Sequence, residues 1–230
     1  MDVGIKTLET ISKANMFNKW MFEKIEPYIG KKILEVGAGT GNITQFLLDK
    51  GEVTCLDISA KCIEALKERF SNSERVSAFL GDISNLDNSW EGKTFNTIVC
   101  LNVLEHIKND EEALSNMASL LEKNGRLILL LPTCRWLYGS LDKNLGHYRR
   151  YENVQMYEKC TKLDLVLEKE MHFNLLGILG WFLNGKILKR KILPSTQMKL
   201  YDLSTPLCRL IENFLQAKIG LSLILILRKN

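Results

Sequence analysis

Short apolar runs alternate with longer amphipathic segments through residues 32–131, and that alternation restricts the fold more than any other feature of the chain. The runs are Lys32–Val36, Val53–Asp57, Val76–Leu80, Thr97–Leu101 and Arg126–Leu131, each apolar almost without interruption. Strands buried on both faces read this way, because helices cover both sides of a parallel sheet. Between them, Ile43–Lys50, Ala60–Phe70 and Asp110–Leu121 space apolar residues three and four apart, as a helix with one buried face requires. Ser59 stands where the second helix needs an N-cap, and Asn109 or Asp110 where the third does. Lys123-Asn124-Gly125 is expected to end that third helix, with Gly125 in the left-handed position. Successive strand–helix units cross over right-handedly, which predicts an α/β fold built on a doubly wound, mostly parallel sheet with helices on both faces.

Beyond Pro132 the pattern changes. "LYGSLDKNLGHYRRYENV" is polar, aromatic and basic, and reads as an ordered loop. A helix over Val154–Thr161 and the strand-like "LDLVLEKE" follow. Residues 172–217 read as a helical, partly basic insertion before a closing strand, "IGLSLILIL". No Pro-, Gly- or Ser-rich linker and no repeat divides the sequence, so residues 1–230 read as one domain long enough for a sizeable core.

A net charge of +4 is mild. Nucleic-acid binders concentrate positive charge far more strongly, so no nucleic-acid partner is expected. The six cysteines include no CxxC pair and no Cys/His cluster, and no metal is expected. Cys55 and Cys100 lie inside apolar runs and behave as small hydrophobes. The N-terminal "MDVGIKTLETISKANMFNKW" has no apolar signal-peptide core, and "FNLLGILGWFL" falls well short of the ~20 residues that span a bilayer. A reduced, cytoplasmic chain is expected.

In doubly wound sheets the ligand lies beyond the carboxyl ends of the strands. Those ends carry Gly37–Gly41, Asp57, Asp82, Asn102 and Pro132. Gly37, Gly39 and Gly41 either present bare backbone to a ligand or form a tight strand-to-helix turn. A nucleoside triphosphate would want GxxxxGK[ST], which is missing; a dinucleotide would want GxGxxG, and Asn42 stands at the third glycine. No Arg or Lys in the loop reads phosphate, and Glu35 would repel one. Asp57 can accept two charge-assisted hydrogen bonds from a ribose diol, or cap the next helix. Asp82, in "FLGDI", can accept from an adenine amino group or serve a turn, with Ile58 and Ile83 on either side of the ring.

Taken together, "ILEVGAGTG", "CLDIS", "GDI", "FNTIVCLNVLEHI" and "KNGRLILLLP" resemble, in order and spacing, the class I S-adenosylmethionine (SAM)-dependent methyltransferases of small-molecule type. The resemblance covers roughly residues 30–132. It implies a Rossmann-like, seven-stranded sheet whose last strand runs antiparallel, with SAM as cofactor and S-adenosylhomocysteine as product. By the same resemblance, Gly37, Ala38, Gly39 and Gly41 approach the methionine and ribose portions through backbone. Glu35 lies near the amino group, Asp57 holds the ribose hydroxyls, Asp82 and Ile83 take the adenine, and backbone at Leu101 and Asn102 flanks the sulfonium. An acidic, arginine-free rim suits a phosphate-free cation. Asn96-Thr97 departs from the family, where many relatives carry an acidic residue that supports strand four. Residues 1–30 stand where similar enzymes place helices that cap the cofactor, so Asn18 and Trp20 either face the site or pack with Met16 and Phe17.

The acceptor half is read from two motifs. In "VLEHI", His106 either approaches the transferred methyl group or packs against the fold. In "LGHYRRY", residues 145–151, His147 has a resting pKa near ~6.5 and suits a general base. Arg149 and Arg150 offer forked donors to a carboxylate or phosphate, and Tyr148 and Tyr151 can stack on a ring. The alternative is a solvated basic loop whose arginines pair with Asp142 and Glu152. A similar loop occurs in bacterial methyltransferases encoded near glycosyltransferase and polysaccharide genes. In-line methyl transfer mainly requires positioning, which supplies roughly 7–11 kcal/mol, so the lack of a catalytic triad is no objection. The expectation is methyl transfer to oxygen or nitrogen of an anionic or amphiphilic small molecule, such as a saccharide, lipid-linked or natural-product intermediate. An NAD(P)-binding oxidoreductase and a non-catalytic SAM-binding regulator are the alternatives. Trp181 and Phe182 beside Lys186, Lys189, Arg190 and Lys191 make 175–191 either a lid or a weak membrane-surface contact.

Overall fold

The computed structural model describes residues 14–215 and 218–230. The chain enters through helix α1 (Asn15–Ile25) and then lays down strands β1 (Lys32–Val36), β2 (Glu52–Asp57), β3 (Val76–Leu80), β4 (Phe95–Leu101) and β5 (Leu121–Pro132). Helices α2 (Thr44–Leu47), α3 (Ala60–Arg69) and α4 (Asp110–Ser119) form crossovers between them. Short α5 (Ser140–Leu145) and α6 (Asn153–Thr161) lead to β6 (Leu165–Phe173). Helices α7 (Gly177–Phe182) and α8 (Ser195–Leu215) come before β7 (Ser222–Lys229). The expected 1–30 cap is thus seen only as α1 and the turn after it; residues 1–13 lie outside the described residues.

One seven-stranded sheet runs in the order β3-β2-β1-β4-β5-β7-β6. Strands β1 to β5 pair in parallel, and β7 pairs antiparallel with both β5 and β6. The expected mostly parallel sheet with an antiparallel closing strand is therefore present. Side chains alternate between its faces with the period of two that a strand imposes. Leu34, Leu56, Ile98, Leu127 and Leu225 pack on the face covered by α4 and α6. Ile33, Val53, Val99, Ile128 and Ile226 pack on the face covered by α1, α2 and α3. Both faces are dry along β1, β2, β4, β5 and β7, which is why the central strands read as continuous apolar runs. The expectation for Val76–Leu80 is corrected, because β3 is an edge strand with Phe79 and Leu80 exposed.

The caps form as expected: Ser59 Oγ accepts from the Cys62 amide and Asn109 Oδ1 from the Glu112 amide, both at 3.4 Å. Four local expectations need correction. The helix expected at 43–50 is a single turn, Thr44–Leu47. Asn124, not Gly125, takes the left-handed conformation, with φ of 63°. Gly125 is small for another reason, since a Cβ there would stand 2.8 Å from the Glu122 carbonyl oxygen. The "ordered loop" after Pro132 contains α5, closed by left-handed Gly146. The helical insertion starts at Gly177, because β6 continues through Phe173.

Candidate active site

The loop after β1 is left-handed at Gly37, Gly39 and Gly41. At Gly37 a Cβ would fall 2.2 Å from Val103 Cγ2, so both conformation and space demand glycine. Asp57 closes β2 beneath this loop. Its Oδ2 accepts from the Gly39 amide and its Oδ1 from the Ser59 amide, each at 2.8 Å. One carboxylate thereby ties the glycine loop to the start of α3 and still keeps a lone pair on each oxygen. Val103, which sequence reasoning passed over, is the wall against which the glycine loop is shaped.

Glu35 lies one residue before the end of β1, under the loop, where Thr44 Oγ1 donates to its Oε2 at 2.5 Å. Burial pushes its carboxyl up to about 8; the Thr44 bond offsets this in part, and the Asp57 charge adds to it. The expected negative charge at Glu35 is therefore corrected: the group holds its proton at neutral pH, and the acidity of the rim comes from Asp57. Neutral residues perform the supporting role at the family's usual acidic position. Thr97 Oγ1 accepts from the Gly30 amide at 2.9 Å and Asn96 Oδ1 from the Lys32 amide at 3.1 Å.

Asp82 Oδ1 accepts from the amide and hydroxyl of Ser84. Ile58 is 73% exposed on the rim, whereas Ile83 is 3% exposed and packed in the core with Leu56 and Leu114. The expected two-isoleucine slot is thus not formed, because one of its walls belongs to the core. Asn102 is left-handed (φ 54°), and its amide donates to the Leu130 carbonyl at 2.9 Å, which turns the chain sharply at the end of β4. Ala38 is buried beside the loop, and Leu101 is half-buried.

The acceptor motif differs most from expectation. Arg150 is enclosed, its Nε 2.8 Å from Asp142 Oδ1 and its Nη1 2.7 Å from the Thr133 carbonyl oxygen. His147 is buried with Nδ1 3.2 Å from the same Oδ1. Trp181 Nε1 and the Gly139 amide donate to Asp142 Oδ2. Burial alone would raise the Asp142 carboxyl, but hydrogen bonds from His147, Trp181 and Gly139 and the Arg150 charge overcome it and hold it at about 2. Asp142 is the centre of this network, and the pairing with arginine that the sequence left open is what Arg150 adopts.

Arg149 is engaged as well, by Asp110 at 2.8 Å and the Lys108 carbonyl oxygen at 2.7 Å. The Tyr151 hydroxyl sits between the Leu104 carbonyl and Asp110. Four expectations are corrected accordingly. His147 is not an open general base, Arg150 is not a free anchor, Tyr151 is not a stacking platform, and Trp20 packs in the core 4.5 Å from the Phe173 ring. Tyr148 remains open. It borders a cleft of about 410 Å³ shared with Tyr138, Arg135, Arg149, Asp110 and Lys159.

Glu105 and His106 stand beside His147. The His106 and His147 rings meet edge-on at 4.6 Å. Burial, followed by the neighbouring His147, pushes His106 down to about 4. Burial pushes Glu105 up to about 7, against the pull of His147 and Arg150.

Strand order, glycine loop and the aspartate closing β2 define the class I methyltransferase fold. Residues 34–127 match the family model described as methyltransferase domain. The chain is 29% identical over 134 residues to the mitochondrial ubiquinone biosynthesis O-methyltransferase of Schizosaccharomyces pombe, a match covering 56% of this chain and 48% of that one. It spans about half the length of the ubiquinone-biosynthesis relatives it matches. Its fold is similar to that of a SAM-dependent methyltransferase from Clostridium acetobutylicum ATCC 824, with TM-score 0.61, 13% identity, and 94% and 91% of the two chains covered. Magnesium protoporphyrin IX methyltransferase from Synechocystis PCC 6803 with bound SAM gives TM-score 0.56 at 14% identity, over 99% of this chain and 80% of that one. Residues 34–127 thus match a methyltransferase domain, and the fold is similar to that of SAM-dependent methyltransferases. Among the described residues, no helix is long and apolar enough to cross a membrane.

Proposed function

We propose that the protein transfers a methyl group from SAM to an oxygen of a small-molecule acceptor, releasing S-adenosylhomocysteine. The observation that carries this reading is Asp57, held by the Gly39 and Ser59 amides with one lone pair still free on each carboxylate oxygen. Those two lone pairs suit a ribose diol, and the bare backbone from Gly37 to Gly41 leaves room for the rest of the nucleoside. Exposed Ile58 and Asp82 lie along the same rim for the adenine, with Leu101 and Asn102 backbone for the sulfonium. Oxygen is preferred over nitrogen because the matched relative is named an O-methyltransferase.

The cleft beside Tyr148 fits an anionic or amphiphilic acceptor with a ring. Arg149 and Lys159 share the carboxylate of Asp110, Lys159 also reaches Glu111 at 3.4 Å, and half-exposed Arg135, paired with Glu152 at 3.3 Å, is the cation an anionic group could compete for. Tyr138 and Tyr148 supply flat apolar walls. A second reading, membrane-surface contact through 175–191, is favoured by exposed Leu179, Phe182, Leu183, Ile187 and Leu188 interleaved with Lys186, Lys189 and Lys191. Such a surface would present a lipid-linked acceptor to the cleft.

Calorimetry with SAM and with NAD tests the cofactor, and S-adenosylhomocysteine release across an acceptor screen tests turnover. SAM binding that weakens about tenfold or more in Asp57→Ala, roughly one charge-assisted hydrogen bond, is expected. Binding of NAD but not SAM would overturn the proposal. SAM binding with no product from any acceptor would favour a regulatory protein.

A further inference from the structure

Glu105, in the tight turn Leu104–His106 after β4, is the one carboxylate in the described residues that is buried with both oxygens lacking a hydrogen-bond partner. An ionised carboxylate in that position is strongly disfavoured unless a cation compensates it. His147 Nε2 lies 4.0 Å from its Oε1, too far for a hydrogen bond. One donor atom from each of Glu105, His106 and His147 falls within 4.8 Å of the other two.

Hydrogen bonding on the far side of the His147 ring decides which atom faces inward. A carboxylate only accepts, so the 3.2 Å contact to Asp142 places a proton on His147 Nδ1, and in the neutral ring Nε2 is then the lone-pair nitrogen. In that tautomer Nε2 and Glu105 Oε1 stand 4.0 Å apart with no hydrogen bond joining them. The His106 ring meets the His147 ring edge-on at 4.6 Å and so joins the same cluster. Metal-bound histidines characteristically donate their second N–H to a carboxylate or carbonyl, as His147 does to Asp142. The two chain segments are stitched together by the Tyr148 amide donating to the Glu105 carbonyl at 2.8 Å.

We propose that Glu105, His106 and His147 bind one divalent transition-metal ion, zinc(II) by their donor chemistry, leaving a fourth position open. Two imidazoles and one carboxylate form the ligand set of zinc sites that keep an exchangeable position, whereas calcium and magnesium favour oxygen-rich sets. Tetrahedral zinc bonded at about 2.0–2.1 Å holds its ligands about 3.3 Å apart. The 4.0 Å pair therefore closes by well under an ångström. His106 is the solvent-side member, from which an ion can enter. The expectation of no metal rested on cysteine spacing and does not reach a set without sulfur.

Glu105 and His106 follow Asn102 by three and four residues, which puts the ion on the rim assigned to the sulfonium. Its role in turnover rests on the methyl-transfer reading. An acceptor hydroxyl in the open position loses its proton to water more readily. Its oxygen electron pair then forms the new O–CH₃ bond as the S–CH₃ bond breaks, and the sulfur keeps that bond's electrons.

The test uses the full chain without a polyhistidine tag, stripped by a chelator and titrated with zinc against a chromophoric competitor. Cobalt(II) absorption reports the coordination. One zinc per chain is expected, with affinity reduced about 100-fold or more in Glu105→Gln and in His106→Gln; circular dichroism confirms that both remain folded. Wild-type affinity no tighter than that of the variants would overturn the site and leave Glu105 and His147 sharing only a proton. SAM calorimetry on stripped and zinc-loaded protein separates the two proposals. Zinc without SAM binding would sink methyl transfer but not the metal site, and SAM without zinc binding would do the reverse.

Discussion

Replacing Glu35 by glutamine is expected to leave the fold intact and change the pH dependence of its stability. In the unfolded chain this carboxyl titrates near 4.5; in the folded protein burial moves it to about 8. The folded state therefore binds the extra proton, and stability falls as pH rises between those two values. Each pH unit in that window costs about 1.4 kcal/mol, and the whole window about 5 kcal/mol. Glutamine copies the neutral acid in shape, and its carbonyl can accept the Thr44 hydroxyl that now donates to Glu35. It carries no titrating proton, so the variant gains on the wild type by about 2 kcal/mol between pH 6 and 7.5. Urea unfolding midpoints at pH 5, 6, 7 and 8, with unchanged slope, give this difference directly. A difference constant across that range, or one in which the wild type gains as pH rises, would refute the assignment of a protonated carboxyl beneath the glycine loop.

Other consequences are independent of that group. Asp142→Asn removes the charge that compensates enclosed Arg150, and thermal melting is expected to show a loss of about 3–5 kcal/mol; a loss under 1 kcal/mol would mean the network is ornamental. Gly37→Ala drives a methyl group into Val103 and is expected to abolish measurable SAM binding by calorimetry. Adding Val103→Ala relieves the clash but not the left-handed strain of about 1–3 kcal/mol, so only partial recovery is expected. Flotation with anionic liposomes is expected to carry the wild type but not a Lys186→Glu, Lys189→Glu, Lys191→Glu variant, and equal behaviour of the two would retire membrane contact.

The central strands were readable because both faces of this sheet are dry, and a dry strand needs no alternation to be recognised. Boundaries were lost where a tertiary contact overrides a local preference. Gly125 looks like a helix terminator, yet its small size answers the approach of the Glu122 carbonyl, and neighbouring Asn124 bears the left-handed turn. Helix α5 is six residues long, too short to declare a period, and is fixed by buried Leu141 and Asp142. Ile58 and Ile83 look equivalent in sequence, each following an aspartate at a strand end. Only the packing of Ile83 beside Leu114 separates a rim residue from a core residue.

The acceptor motif shows why polar residues are harder to assign than apolar ones. "LGHYRRY" has the composition of an open, reactive loop, but its function depends on which partners the rest of the chain supplies, and those come from elsewhere in the sequence. Tyr151 reaches Leu104 and Asp110, Arg149 reaches Asp110, and the Tyr148 amide reaches Glu105. Every one of those partners lies in or just after "VLEHI". The two motifs are therefore halves of one construction that joins the ends of β4 and β5. Within it, Asp142 absorbs Arg150 and orients His147, so only Tyr148, His106 and the lone pairs around Glu105 remain available to a ligand. A charge count of either motif alone predicts a basic loop, whereas the assembled pair is a neutralised frame with one unsatisfied carboxylate at its centre. Any chemistry on the acceptor side has to begin from that carboxylate rather than from the arginines.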